Sequence, residues 1–170
     1  MVSHISESQG AAKQQRRSMK AATSQTRSRD SLEVKALTIR QPWAELIIRG
    51  RKPFELRSWR TKYRGPLVIH AAAKVDSERA VELGLNPDKL VTSAFVGVAL
   101  LTDVRSFTRE DARLLKKKRG GEGWYPGLFS WVLTKPRRIS SPIKAKGRLG
   151  LIPVSSAILR RIGKLPTARH

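Results

Sequence analysis

Apolar positions are sparse over the first thirty-three residues and then arrive in regular short runs. Residues 1–33 hold one Leu, one Ile, one Val and no aromatic residue, too little apolar surface to offset the entropy of ordering the chain. A disordered basic tail is expected there. From Val34 the pattern changes, and VKALTI is a short apolar run of the kind a buried strand makes. In QPWAELIIRG, Trp43, Leu46 and Ile47 fall on one helical face. Pro42 suits the first helical position and Gly50 the C-terminal cap. Glu45 and Arg49 stand four apart on the other face. RKPFELRSW then switches to period two, with Phe54 and Leu56 on one side and Glu55, Arg57 and Trp59 on the other, which predicts a half-buried strand.

The remaining pattern extends this alternation of short elements. PLVIHAAA predicts a strand carrying His70, and DSERAVELG a helix that Gly84 ends. SAFVGVALLTDVRSF predicts a long central strand, in which Gly97 implies a bulge or a close approach of backbones. Thr108 and Asp111 have the spacing of a capping box for a helix through TREDARLLKKK. GLFSWVLTKPRRI is strand-like again, and SSAILRRIG predicts a last amphipathic helix. Strands broken by short helices without strict alternation argue against a doubly wound sheet. They point to an α+β fold or a small barrel, and a curved sheet closing on itself would use the glycines and mixed faces.

Charge sharpens the picture. Lys and Arg total 35 against 13 Asp and Glu, a formal net of +22. Residues 1–33 carry six basic and three acidic side chains, so +19 belongs to residues 34–170. The folded part is itself basic, and a field of that sign gathers polyanions and releases their counterions. Nucleic acid is the partner class this implies. Lys135, Arg137 and Arg138, with Lys144, Lys146 and Arg148, are candidates to extend a phosphate-contacting surface. A basic scaffold for a protein partner is the competing reading.

Cysteine is absent, which excludes disulfides, thiolate metal sites and cysteine nucleophiles. Only three histidines occur, His4, His70 and His170, so no multi-histidine metal site is expected. No glycine-rich phosphate loop or other cofactor motif occurs, and no cofactor is expected. No apolar run reaches the length of a membrane span, and no membrane partner is expected. The N-terminus lacks the apolar core of a secretory signal, while its Ser, Arg, Gln and Ala content is compatible with an organelle transit peptide. An intracellular location, cytoplasmic or nucleoid/nuclear, is expected.

The chemistry-bearing residues concentrate between Arg40 and Trp59. On a strand, Glu55, Arg57 and Trp59 project to one side in steps of about 7 Å. A carboxylate can accept from exocyclic amines, a guanidinium can pair with phosphate or a base edge, and an indole can stack. An exposed strand face with one cross-strand ion pair is the plain alternative. Lys52 lies at the junction of the predicted helix and strand. If desolvated it could serve as base or nucleophile, and pairing with Glu55 would oppose that. His70 is either a hydrogen-bonded structural residue or a catalytic assistant.

The segment LTIRQPWAELIIRGRKPFELRSWRTKYRGPLVIHAAAK resembles the ASCH (activating signal cointegrator homology) family of the PUA-like superfold, through QPWA, then G-x-K with E-x-R-S-W, then RG-x-L-x-I. FVGVALLTDV, FSWVL and PIKAKGRLGL resemble the family's closing strands. The resemblance implies a small PUA-like β-barrel flanked by short helices over residues 34–154, preceded by the 1–33 tail and followed by a C-terminal helix and basic tail at 155–170. It also implies a cleft for nucleic acid, RNA ahead of DNA, with Gln41, Trp43, Lys52, Glu55, Arg57, Ser58 and Trp59 around it and Arg64 of the RG element as a further contact. A base or strand end would be read in a basic, tryptophan-lined cleft. The alternative is a hydrolase acting on RNA or a modified nucleoside, with Lys52 and Glu55 as acid and base and His70 assisting. In the amidohydrolase branch a threonine follows the G-x-K lysine by three positions. Glu55 stands there in this chain, and a carboxylate does not replace a hydroxyl nucleophile on equal terms.

Overall fold

The computed structural model describes residues 33–118, 123 and 125–168. The predicted tail at 1–33 lies outside the described residues except for Glu33. A compact unit begins at Val34.

Six strands form one sheet: β1 (Lys35–Gln41), β2 (Phe54–Arg57), β3 (Gly65–Val75), β4 (Ala94–Ser106), β5 (Phe129–Lys144) and β6 (Leu151–Pro153), in the spatial order β2-β5-β4-β3-β1-β6. β1 and β3 run parallel, with Thr38 opposite His70, and the other pairs are antiparallel. Among the described residues four α-helices are interspersed: α1 (Trp43–Ile48), α2 (Ser77–Glu82), α3 (Arg109–Lys117) and α4 (Ser156–Ile162). The α+β expectation holds.

The sheet is buried on both faces. Alternate residues of β1 and β3 divide between two cores, as a period of two requires. Leu37, Ile39, Leu67 and Ile69 face one side and pack with Ile47 and Ile48 of α1 and with Trp131. Ala36 and Val68 face the other, with Val98, Ile139 and Ile143, and Ile162 of α4 covers them. This is why PLVIHAAA is a continuous apolar run: residues 67–71 are buried throughout, as strands covered on both faces are.

Gly97 is where α1 docks. A Cβ built there would sit 2.2 Å from Ile48 Cδ1 and 2.6 Å from the Arg137 carbonyl oxygen, so only glycine lets helix and neighbouring strand come this close. Register shifts on either side of it mark the irregularity the sequence suggested. Thr108 and Asp111 form the predicted capping box of α3. Asp111 also accepts two hydrogen bonds from the Arg105 guanidinium, both at 2.6 Å, and one from Ser130 at 3.1 Å.

The expected barrel does not form. The sheet is open, with β2 and β6 as its edges. Those edges are four and three residues long, too short to offer each other a ladder. The gap between β2 and β1 is instead crossed by a side chain: an Arg57 terminal nitrogen donates to the Thr38 carbonyl oxygen at 2.7 Å. The glycine and mixed polarity that suggested closure serve other ends, Gly97 for docking a helix and the polar positions of β2 for a buried ion-pair network.

Candidate nucleic-acid interface

The QPWA segment builds a corner before it builds a site. Gln41 is fully buried; its side-chain oxygen accepts from the Glu45 backbone N–H (3.0 Å) and its amide nitrogen donates to the Val91 carbonyl (2.8 Å). It thereby satisfies a helix-start donor and ties α1 to the segment leading into β4. Glu45, expected on the open face, is buried and accepts from Arg49 (2.7 Å) and Arg138 (2.6 Å). Burial pushes its carboxyl up, but the hydrogen bonds and charge of Arg138 and Arg49 outweigh that and hold it below the usual carboxylate range.

From this corner a polar chain runs along β2. Lys52 donates to Glu55 at 2.7 Å, with side-chain exposures of 7% and 10%, and its ammonium lies 5.8 Å from the Trp43 ring centroid. The other Glu55 oxygen is 3.4 Å from Arg57. Arg57 is held from one side by Glu55 and from the other by Thr38, while its buried Nε has no protein acceptor. The alternation predicted for β2 therefore does not leave Glu55 on a wet face: Phe54 and Glu55 are both buried.

The other predicted residues are dispersed. Ser58 is exposed beyond the strand. Trp59 stands edge-to-face on Trp131, centroids 4.6 Å apart, and its carbonyl accepts from the Trp131 indole N–H (3.1 Å). Trp43 is half-buried against the core. Arg64 donates to the Thr61 and Tyr63 carbonyls and pairs with Asp103 at 3.3 Å. His70 is 1% exposed, and its Nε2 lies 2.9 Å from the Ala145 carbonyl oxygen. A carbonyl only accepts, so Nε2 carries the hydrogen. The buried Nδ1 has no partner in the protein.

A cleft of about 380 Å³ opens at the Arg57 end of this chain. β1 contributes Leu37 and Thr38, β2 contributes Arg57, and the end of β3 contributes Ala72 and Ala73. Its outer wall is Gly147, Arg148, Leu149 and Gly150, from a strap that joins β5 to β6. Of the predicted residues, Arg57 borders this cleft; Lys52, Glu55 and both tryptophans do not. Sequence reasoning missed Thr38 and Leu149. The signal available for Leu149 was a lone leucine between an arginine and a glycine in KGRLG, outside any periodic run.

Among the described residues no group of three or more His, Asp or Glu side chains could hold a metal ion, and no helix is long and apolar enough to cross a membrane.

An open α+β sheet, a helix entered through QPWA and a cationic cleft across the gap between β2 and β1 define a small module. The family model for the ASCH domain matches residues 37–143, and the chain belongs to that family. Nucleic-acid binding is the role typical of ASCH domains. The chain is similar to activating signal cointegrator 1 of Homo sapiens, 51% identical over 45 residues, and to that of Mus musculus, 49% over 45 residues. Each match covers 26% of this chain and 8% of the relative, so the chain spans a small part of those proteins. The crystal structure of ASCH from Zymomonas mobilis superimposes with a TM-score of 0.52 at 11% identity, covering 76% of this chain and 93% of that one, a likeness of fold.

Proposed function

We propose that this ASCH domain binds nucleic acid, RNA in preference to DNA, and takes a single base or strand end into the cleft between β1, β2 and the 145–150 strap. The observation that carries the reading is Arg57. Its guanidinium borders a hollow of about 380 Å³ and is steadied by Glu55 and Thr38, with Nε still without an acceptor. A fixed, partly desolvated guanidinium is suited to a phosphate or a base edge. Arg148 also lines the cleft, and the net charge of +22 supplies the long-range attraction. Hydrolysis through Lys52 and Glu55 is the weaker reading, because the two are paired with each other and neither borders the cleft.

Fluorescence anisotropy with labelled RNA and DNA oligonucleotides of one sequence tests this. Arg57→Ala, shown by its melting curve to remain folded, is expected to weaken RNA binding at least tenfold, the order of one charge-assisted hydrogen bond of about 1.5–3 kcal/mol. Arg57→Lys is expected to recover only part, since it lacks the planar fork. Unchanged affinity in a folded Arg57→Ala protein would exclude the cleft as the binding site.

A further inference from the structure

The strap is fastened by its backbone and leaves its side chains outward. The Ala145 N–H donates to the Ser93 carbonyl (3.0 Å), the Ala145 carbonyl accepts from His70 (2.9 Å), and the Arg148 N–H donates to Thr38 Oγ1 (3.2 Å). Gly147 lies flat on the same two residues; a Cβ there would be 3.0 Å from Thr38 Cγ2 and 3.1 Å from His70 Cε1. Lys144, Lys146 and Arg148 are exposed. Leu149, which walls the cleft, is 100% exposed.

A single exposed leucine is ordinary on a protein surface. The setting of this one is not. It stands at the lip of a hollow, next to Arg148, on a segment pinned at three points. The chain carries no Asp or Glu anywhere after Glu122, so Lys144, Lys146 and Arg148 of the strap have no acidic side chain near them in sequence. An apolar side chain flanked by cations, beside a hollow with room for one base, matches a strand whose bases are unpaired and whose phosphates lie alongside. A base taken out of its stack is held against aromatic or apolar side chains in this way.

Building on the proposed nucleic-acid binding, we propose that the strap is the gripping element and that it selects single-stranded over duplex nucleic acid. Leu149 packs on the face of the unpaired base next to the one in the cleft, and Lys146 and Arg148 hold the flanking phosphates. A duplex cannot present that face, because its bases are stacked and paired.

The test uses anisotropy of the full chain with a fluorescein-labelled oligouridine ten-mer and with its oligoadenine duplex, titrated between 50 and 200 mM salt (roughly the range over which phosphate contacts are most visible). Leu149→Ala is expected to weaken single-strand binding by roughly fivefold to tenfold, the order of one lost apolar contact, with the salt slope unchanged. Lys146→Ala and Arg148→Ala are each expected to lower the log–log salt slope by roughly 0.7, the value for one phosphate of a single strand. The duplex is expected to bind more weakly and to be indifferent to Leu149→Ala. Melting curves equal to wild type verify folding, and a fully exposed side chain gives no reason for loss. Wild-type binding that is unaltered by Leu149→Ala, or a duplex that binds as tightly as the single strand, overturns the assignment while leaving the proposed function standing. Failure of wild type to bind any oligonucleotide removes both.

Discussion

Lys52 and Glu55 form an ion pair at 2.7 Å in which both side chains are at least nine-tenths shielded from solvent. Breaking such a pair from one side leaves an uncompensated buried charge, which costs about 3–5 kcal/mol, whereas replacing both partners by apolar groups is often neutral. Lys52→Ala is therefore expected to lower the urea midpoint sharply. The double variant Lys52→Met/Glu55→Leu is expected to recover most of that loss. Recovery will stop short of complete, because Arg57 also leans on Glu55. Equilibrium urea unfolding of the three proteins measures both effects.

Acid is expected to destabilise the domain through Asp111 and Glu45. Burial pushes both carboxyls up, but Arg105, Thr108 and Ser130 at Asp111, and Arg138 and Arg49 at Glu45, hold each below its ordinary value, 3.8 and 4.5 respectively. A carboxyl with a depressed folded-state pKa adds stability that is fully present above its unfolded value and is lost as pH falls through the folded one. Stability is thus expected to be flat through neutral pH and to decline below about pH 4. Asp111→Asn is expected to cost about 2 kcal/mol at pH 7 and to make the decline shallower. Urea midpoints between neutral and strongly acidic pH provide the measurement.

Gly97→Ala is expected to destabilise by about 1–3 kcal/mol, the usual cost of overpacking. The new methyl group would meet Ile48 Cδ1 at 2.2 Å and the Arg137 carbonyl oxygen at 2.6 Å. Trimming the isoleucine, as Gly97→Ala/Ile48→Ala, leaves the backbone clash in place. Thermal unfolding of the double variant is therefore expected to fall below that of either single one.

Gly147→Ala separates binding from stability. Its methyl group would lie 3.0 Å from Thr38 Cγ2 and 3.1 Å from His70 Cε1, so the exposed strap yields by a few tenths of an ångström instead of the core. The melting temperature is expected to change little, and oligonucleotide affinity to drop about threefold or more, as displaced positioning costs binding. Calorimetry and anisotropy on one preparation check the split.

The sequence carried its element order clearly, for identifiable reasons. The Thr108–Asp111 spacing can do little except cap a helix, and Gly50, at φ +70°, ends α1 where periodicity stops. What it did not carry was tertiary reuse of side chains. Glu45 looks solvent-facing on a helical wheel, yet Arg138 from β5, ninety-three positions away, closes over it. Alternation in β2 assigned Glu55 to an open face, because nothing local reveals that Lys52 will bury itself there. The barrel that the family resemblance implies, and that the glycines and mixed faces would suit, is absent, because such glycines report close approach without saying what approaches. Of the polar residues around Arg57, several build the corner that aims it, and the neighbouring Leu149 lies outside every periodic pattern.

The partner of β1 on its outer side is β6, and Lys35 lies opposite Pro153. During synthesis β3 can cover the inner edge of β1 early, but the outer edge has to wait for β6, which follows on the order of a hundred residues later. The strap emerges from the ribosome just ahead of that final strand, so the 147–150 wall of the cleft is laid down after the walls from β1, β2 and β3.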